Sequence, residues 1–474
     1  MRFVLVSPPI AAFQFGSVLL KTRCWQPYSL AIAAAGLEKL GHDVTILDGH
    51  AMGWSIDETV SQTLALNADV LLYSSARHDA WELPTPDYKF IFEFFDKLKN
   101  RWPAGRPVVI EGTHGTLEPN RLFDNIPILT LVARHEPEPV LLTLFEKINE
   151  PAAWSEIGDL SYRLPGGRVI HNSDAKPFDD LDSLPMPAFH LLPMSKYREQ
   201  GDPTVPFSIV VTSRGCPMPC GYCFKEMFGS KLRYRSIPNV IRELKLLVET
   251  FGVRRVFFHD QIFTLNRRRT HDLCESMIRE GLPEKLTWRC QTRLNGMKNE
   301  TLEIMRAAGC IEIQTGLESA SPEIQEKILK LDVSDFLQFR RFGEQIGLKI
   351  SPNNVIGLPG ETLQTAMESL KFYHRLGIPY APNFHFPFPT TPFYKNARES
   401  GEIANDSFEL IAEKAGLVGN HLTTTDLQTI LKSCEKWNRR LRWKNRIYQM
   451  FGRTYGSLVS ERERGARDPR MQQK

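Results

Sequence analysis

Three cysteines stand close together in Cys216-Pro-Met-Pro-Cys220-Gly-Tyr-Cys223, while the other five of the chain's eight are scattered. Three thiolates at this spacing can hold three irons of a [4Fe–4S] cluster. No fourth cysteine follows closely, so the fourth iron is left open to a small molecule. Zinc is the competing metal, but zinc sites pair CxxC units and need a fourth ligand. Eight cysteines in 474 residues are too few for a disulfide scaffold. In a reducing, cytoplasmic compartment a tight group of them points to metal.

A second group of polar residues lies at the ends of strand-like runs in residues 1–150. The runs are Arg2–Pro8, His42–Asp48, Ala68–Ala76, Pro107–Gly112 and Ile128–Arg134, with helical patterns between them. Five strands with helical crossovers predict a doubly wound, Rossmann-like parallel sheet. Such sheets bind ligands beyond the carboxyl ends of their strands. Those ends carry Ser7-Pro8-Pro9, Asp48-Gly49-His50, Ser74-Ser75-Ala76-Arg77-His78 and Gly112-Thr113-His114-Gly115-Thr116. No GxGxxG follows the first strand, which argues against a dinucleotide.

The cysteine group needs its own scaffold. Residues 151–205 read as a connector with a hairpin turn at Leu164-Pro165-Gly166-Gly167-Arg168. Residues 206–395 return to strand–helix alternation. Strands are predicted at Ser208–Arg214, Arg255–Asp260, Leu286–Arg293, Cys310–Gly316, Lys349–Ile356 and Pro382–Phe388. Six βα units fit a partial (β/α)6 barrel of the TIM type, with chemistry at the carboxyl ends of its strands. Residues 396–474 read as a helical, basic C-terminal region. The fold class is α/β throughout.

CxxxCxΦC, with Tyr222 as the aromatic, resembles the signature of the radical S-adenosylmethionine (SAM) superfamily. The likeness extends to Tyr234-Arg235-Ser236, Thr315-Gly316-Leu317-Glu318-Ser319 and Gly357-Leu358-Pro359-Gly360-Glu361-Thr362. An α/β domain ahead of such a barrel resembles the cobalamin-binding domain of cobalamin (B12)-dependent radical SAM enzymes. Gly112-Thr113-His114-Gly115-Thr116 and Glu136-Pro137-Glu138-Pro139 stand where that family more often shows GG-x-H-x-T and GEGE. Methylthiotransferases pair similar domains, but theirs has three cluster cysteines in the first, and here only Cys24 precedes Cys216.

The resemblance implies three cofactors: a [4Fe–4S] cluster on Cys216, Cys220 and Cys223, SAM on its open iron, and cobalamin in the first domain. Tyr222, Asp260, Gln314, Glu318 and Ser319 are then candidate SAM contacts. Asp260 matches an ammonium-binding position only by place, and helix capping is the plain alternative for Glu318 and Ser319. Ser75, Arg77, Gly112, His114 and Glu136 are candidate cobalamin contacts. Asp48-Gly49-His50-Ala51-Met52-Gly53 satisfies DxHxxG, a cobalt-ligating pattern, but it follows the second strand and reads better as a polar turn. Arg77 or His78 would sit beneath the cobalt instead.

The implied activity is C-methylation. A 5′-deoxyadenosyl radical abstracts hydrogen from an unactivated carbon of a small molecule or lipid, and methylcobalamin supplies the methyl group. A rearrangement, cyclisation or oxidation with the same cofactors is the alternative. An RNA-associated iron–sulfur protein ranks last. An electron donor such as flavodoxin or ferredoxin is expected, and no nucleic acid.

Charge and hydropathy set further bounds. The net charge is +4, so the chain as a whole is no polyanion binder. Residues 432–474 hold 13 basic and 4 acidic residues. Aromatics interleave with that charge from Lys436 to Phe451. A terminal helix packing Trp437, Leu441, Ile447 and Met450 inward is expected, with peripheral membrane contact as the alternative. No apolar run approaches a membrane span, and the chain is expected to be cytoplasmic.

Overall fold

The computed structural model describes residues 1–10, 12–15, 18–21, 23–75, 88–326, 333–381, 383–403 and 416–449. These fall into two compact bodies. The first comprises Met1–Pro219, Cys223–Gln291 and Ile304–Ile311; the second comprises Cys220–Tyr222, Thr292–Glu303 and Glu312–Lys474.

The first body opens with the predicted sheet. Strands β1 (Arg2–Ser7), β2 (Asp43–Asp48), β3 (Val70–Ser74), β4 (Val108–Glu111) and β5 (Leu131–Ala133) are parallel, in the spatial order β2-β1-β3-β4-β5. Their runs are nearly all apolar because a parallel sheet is covered on both faces. Leu5, Leu72, Val109 and Val132 are wholly buried. Helix Tyr28–Lys39 packs beside Pro137–Glu146, and Ile56–Ala65 beside Lys89–Leu98. The turn expected at 164–168 joins β6 (Leu160–Arg163) to β7 (Val169–His171), which extend the sheet antiparallel from β5. These two strands are four and three residues long and half-exposed in part, so no alternating pattern marked them.

The same body continues with β8 (Arg198–Glu199), β9 (Asp202–Val210), β10 (Ser213–Arg214), β11 (Arg233–Tyr234), β12 (Arg255–Phe258) and β13 (Thr287–Thr292). β8 lies antiparallel on β9, and β9, β12 and β13 are parallel neighbours. The single strand expected over Ser208–Arg214 is broken after Val210. Its last two residues instead form the two-residue ladder β10–β11, with Arg214 opposite Arg233.

Strands β14 (Cys310–Glu318, in the second body from Glu312 on), β15 (Lys349–Ile356) and β16 (Asn383–Phe384) are parallel. The last helix among the described residues is Thr424–Gln449. Trp437 and Leu441 are buried on it as expected. The Trp437 indole N–H donates to the Ile378 carbonyl at 3.2 Å, and Asn438 clasps the Tyr380 backbone. Ile447 and Met450 lie outside the residues whose side chains are described. Among the described residues no helix is long and apolar enough to cross a membrane.

Candidate active site

The loop bearing the three cysteines leaves β10 and returns at β11. All eight cysteines are thiols. Cys216 is buried, and Cys220 and Cys223 are half-buried. The Cys216 N–H donates to the Gly229 carbonyl at 3.2 Å, which closes the loop near its base. Gly215 takes φ +88°, and a Cβ there would run into the Lys231 carbonyl. Only glycine fits this approach. The Lys225 ammonium bonds the Met218 carbonyl within the loop.

Asp260 explains the break after Val210. The backbone rung His259 N–H to Val210 O, 2.9 Å, is the last regular one. Next, the Asp260 carboxylate takes the place of a strand carbonyl. Its Oδ1 accepts the Thr212 N–H at 2.7 Å, and its Oδ2 accepts the Thr212 and Ser213 hydroxyls, both at 2.6 Å. Burial pushes its pKa up, and those three hydrogen bonds pull it back. Asp260 is fully buried and directs the chain into β10 and the cysteine loop. The helix that follows, Arg267–Arg279, is capped by Asn266 and not by Asp260.

Glu136, expected on a cofactor, has both oxygens engaged by arginines. Oε1 accepts from Arg214 at 2.7 Å and Oε2 from Arg233 at 2.6 Å. Glu138 takes Arg214 through both oxygens, at 2.9 and 2.8 Å. Sequence reasoning missed Arg214, Arg233 and Glu138. The alternation of acids in Glu136-Pro137-Glu138, near one helix start, was the available signal. A cavity of about 350 Å³ adjoins this segment, with His135, Glu136, Asp159, Asp174 and Phe228 in its wall. Of the expected cofactor residues that are described, only Glu136 lies in its wall.

At the carboxyl edge of the first sheet, Ser75 is buried and donates its hydroxyl to the Glu111 carbonyl at 2.7 Å. Gly112 takes φ +107° and starts the short helix Thr113–Leu117. His114 is buried against the Tyr88 ring, with centroids 4.6 Å apart. The Glu111 carboxyl is pushed up to about 8, chiefly by burial and further by Glu138; hydrogen bonds from Ser74 and Ser29 oppose this. Asp48 caps Gly49–Met52 by accepting the Ala51 N–H at 3.1 Å, and it accepts the Tyr197 hydroxyl at 2.8 Å. The DxHxxG string is therefore a capped turn, with His50 half-buried on it. Arg77 and His78 lie outside the described residues.

In the second body the Tyr222 hydroxyl hydrogen-bonds to Glu318. Burial pushes the Glu318 carboxyl up to about 7, against Tyr222 and the Arg293 charge. Glu318 is half-buried, with φ +57° at the end of β14. Gln314 is half-buried on the same strand, beside Ser351 of β15. Ser319 is buried, its hydroxyl shared with Ser369 at 3.2 Å and with the Ser321 N–H at 3.2 Å. It braces the turn ahead of Ser321, the N-cap residue of the next helix.

A family model for the radical SAM superfamily matches residues 210–373. An uncharacterized methyltransferase of Pyrococcus horikoshii is 30% identical over 404 residues, which is 84% of this chain and 83% of that protein. The anaerobic magnesium-protoporphyrin IX monomethyl ester cyclase of Cereibacter sphaeroides is 25% identical over 397 residues, 80% of this chain and 61% of that protein. Among solved structures, the radical SAM methyltransferase TsrM of Kitasatospora setae aligns with a TM-score of 0.66 at 18% identity, covering 84% of this chain and 75% of that one. That likeness shows the fold: an N-terminal parallel sheet, a half-barrel sheet and a C-terminal helix. With the cysteine loop, the sheet ahead of it and the relatives in agreement, the chain belongs to the cobalamin-dependent radical SAM family.

Proposed function

We propose that this radical SAM enzyme is a C-methyltransferase acting on an unactivated carbon of a small molecule or lipid. The observation that carries the methylation reading is the 30% identity, over 84% of the chain, to a protein named as a methyltransferase. A reductant and a substrate are required by the chemistry of the family.

The residues present fit the three cofactors. Cys216, Cys220 and Cys223 are thiols on one loop and would hold three irons. Tyr222 and Glu318, already in contact, would hold SAM, with Gln314 beside them on the strand. The Ser7 and Thr113 hydroxyls end β1 and follow β4. Both are buried and have no hydrogen-bond partner among the described residues. Buried hydroxyls of this kind need partners, and the amide rim of a corrin offers them. When bound, the cluster and SAM supply a carbon radical and cobalamin supplies the methyl group, chemistry that side chains lack.

The protein's own part is binding and orientation. Asp260 sets the path of the chain into the cysteine loop. Glu318, titrating near 7, can accept a hydrogen bond when ionised and donate one when neutral. Ser75 and Gly112 shape the floor beyond the first sheet.

The cyclase relative favours a second reading, in which the same cofactors drive ring closure without methyl transfer. Turnover with methyl-deuterated SAM separates the two. Deuterium in the product is expected for methylation. Deoxyadenosine formed with an unlabelled product would overturn it in favour of the second.

A further inference from the structure

The neck of the cysteine loop places two positive charges face to face. Arg214 and Arg233 are cross-strand partners in β10–β11, and their side chains are each only 3% exposed. Like charges directly opposite on a ladder repel, and burial removes the water that would screen them. One carboxylate answers this. Glu136 gives Oε1 to Arg214 and Oε2 to Arg233, at 2.7 and 2.6 Å. Glu138 completes a two-point grip on the Arg214 guanidinium, which also lies 5.0 Å from the Phe228 ring centroid.

This clamp sits next to a thiol. Only Gly215 separates Arg214 from Cys216, and its backbone has no spare room. Across the loop, Cys216 N–H bonds the Gly229 carbonyl. The neighbouring Phe228 carbonyl is held by Arg233 at 2.7 Å. On one side of this rung Cys216 is two residues from Arg214, and on the other Gly229 follows Phe228, whose carbonyl Arg233 holds.

We infer that Glu136 is the clamp of the cluster loop. Shared between the two neck arginines, it holds Cys216 in place and so governs how firmly the cluster is retained. It is a positioning residue and not a cofactor ligand. The inference rests on Cys216 being a cluster ligand.

The test uses the full chain, reconstituted with iron and sulfide without oxygen. Iron release to a ferrous chelator and the electron paramagnetic resonance spectrum of the reduced cluster are read. Glu136→Gln keeps shape but removes the shared charge. It should take up iron as the wild type does, then lose it roughly tenfold faster, since one partner of a buried ion pair is gone. Its cluster spectrum should change.

Adding Arg233→Gln to that variant relieves the repulsion and should slow the release again. Glu199→Gln is the control, because Glu199 is a buried carboxylate on Arg289 in the same body, beside the start of β9 and so at the opposite end of that strand from the neck. It should lower the melting temperature without speeding release. Wild-type release from Glu136→Gln overturns the inference. So does equally fast release from Glu199→Gln, or a double variant no slower than the single one. Should Glu136→Gln prove insoluble, Glu136→Asp replaces it. One methylene shorter, it cannot reach both arginines, and wild-type release from it is equally fatal. A wild-type chain that retains no iron would instead bring down the cluster assignment itself.

Discussion

At the scale of single residues, the buried carboxyls divide into two kinds. Asp260 and Glu136 have their oxygens taken by hydrogen-bond donors of the chain. Asp260→Ala would leave the Thr212 N–H and two hydroxyls buried without an acceptor. We expect a loss of about 2–4 kcal/mol in denaturant unfolding. SAM affinity should fall only as far as the cysteine loop moves. An unchanged stability with tenfold weaker SAM binding would return Asp260 to direct contact with the cofactor. Glu111 is of the other kind: against the hydrogen bonds from Ser74 and Ser29, burial raises its carboxyl from 4.5 to about 8. The folded chain therefore holds a proton there that the unfolded chain has released. Stability from this group is complete below about pH 4.5 and is lost as pH rises to about 8. The slope is at most about 1.4 kcal/mol per pH unit. Glu111→Gln should flatten the decline of melting temperature between pH 5 and 8, and an unaltered slope would remove Glu111 as its source.

At the scale of elements, the decisive piece is a ladder of two residues on each side. β10 and β11 are too short to carry a pattern, yet they hold the neck of the cysteine loop. Gly215 makes the turn out of β10 at φ +88°. Gly215→Ala forces a Cβ against the Lys231 carbonyl, and a left-handed backbone is costly for alanine. Iron after reconstitution should drop well below the roughly four per chain that three thiolates and an open iron imply. The melting temperature should shift little, because the strain is confined to the loop. A full cluster in this variant would mean that the loop tolerates a different path.

At the scale of the whole molecule, the first sheet presents buried hydroxyls at its carboxyl edge, and the proposed function puts a large polar cofactor there. The full chain should take up one corrinoid, followed by its visible absorption. Thr113→Val removes one hydroxyl at nearly constant shape and should weaken uptake by up to roughly tenfold, the worth of one hydrogen bond. Uptake equal to wild type would move the corrinoid away from Thr113. His50→Ala should leave the bound spectrum nearly unchanged, because DxHxxG forms a capped turn here. Loss of the corrinoid on that change would restore His50 as a ligand.

What the sequence determined by itself was local or covalent. Cys216, Cys220 and Cys223 point to a metal site by their spacing. The core strands of both sheets were legible within a few residues, because buried parallel strands are long apolar runs set off by turn residues. Tertiary structure decided where the charges went. Glu136 is 78 residues from Arg214 and 97 from Arg233, and Asp260 is 48 from Thr212. No periodicity reports a contact at such separations. A buried carboxylate looks the same in sequence whether it faces a ligand or an arginine. The choice depends on which donors the fold brings within about 3 Å, since an unpaired buried charge is too costly to leave. The same cost turned a predicted strand into a neck for the cysteine loop, once Asp260 offered Thr212 a better acceptor than the next strand could.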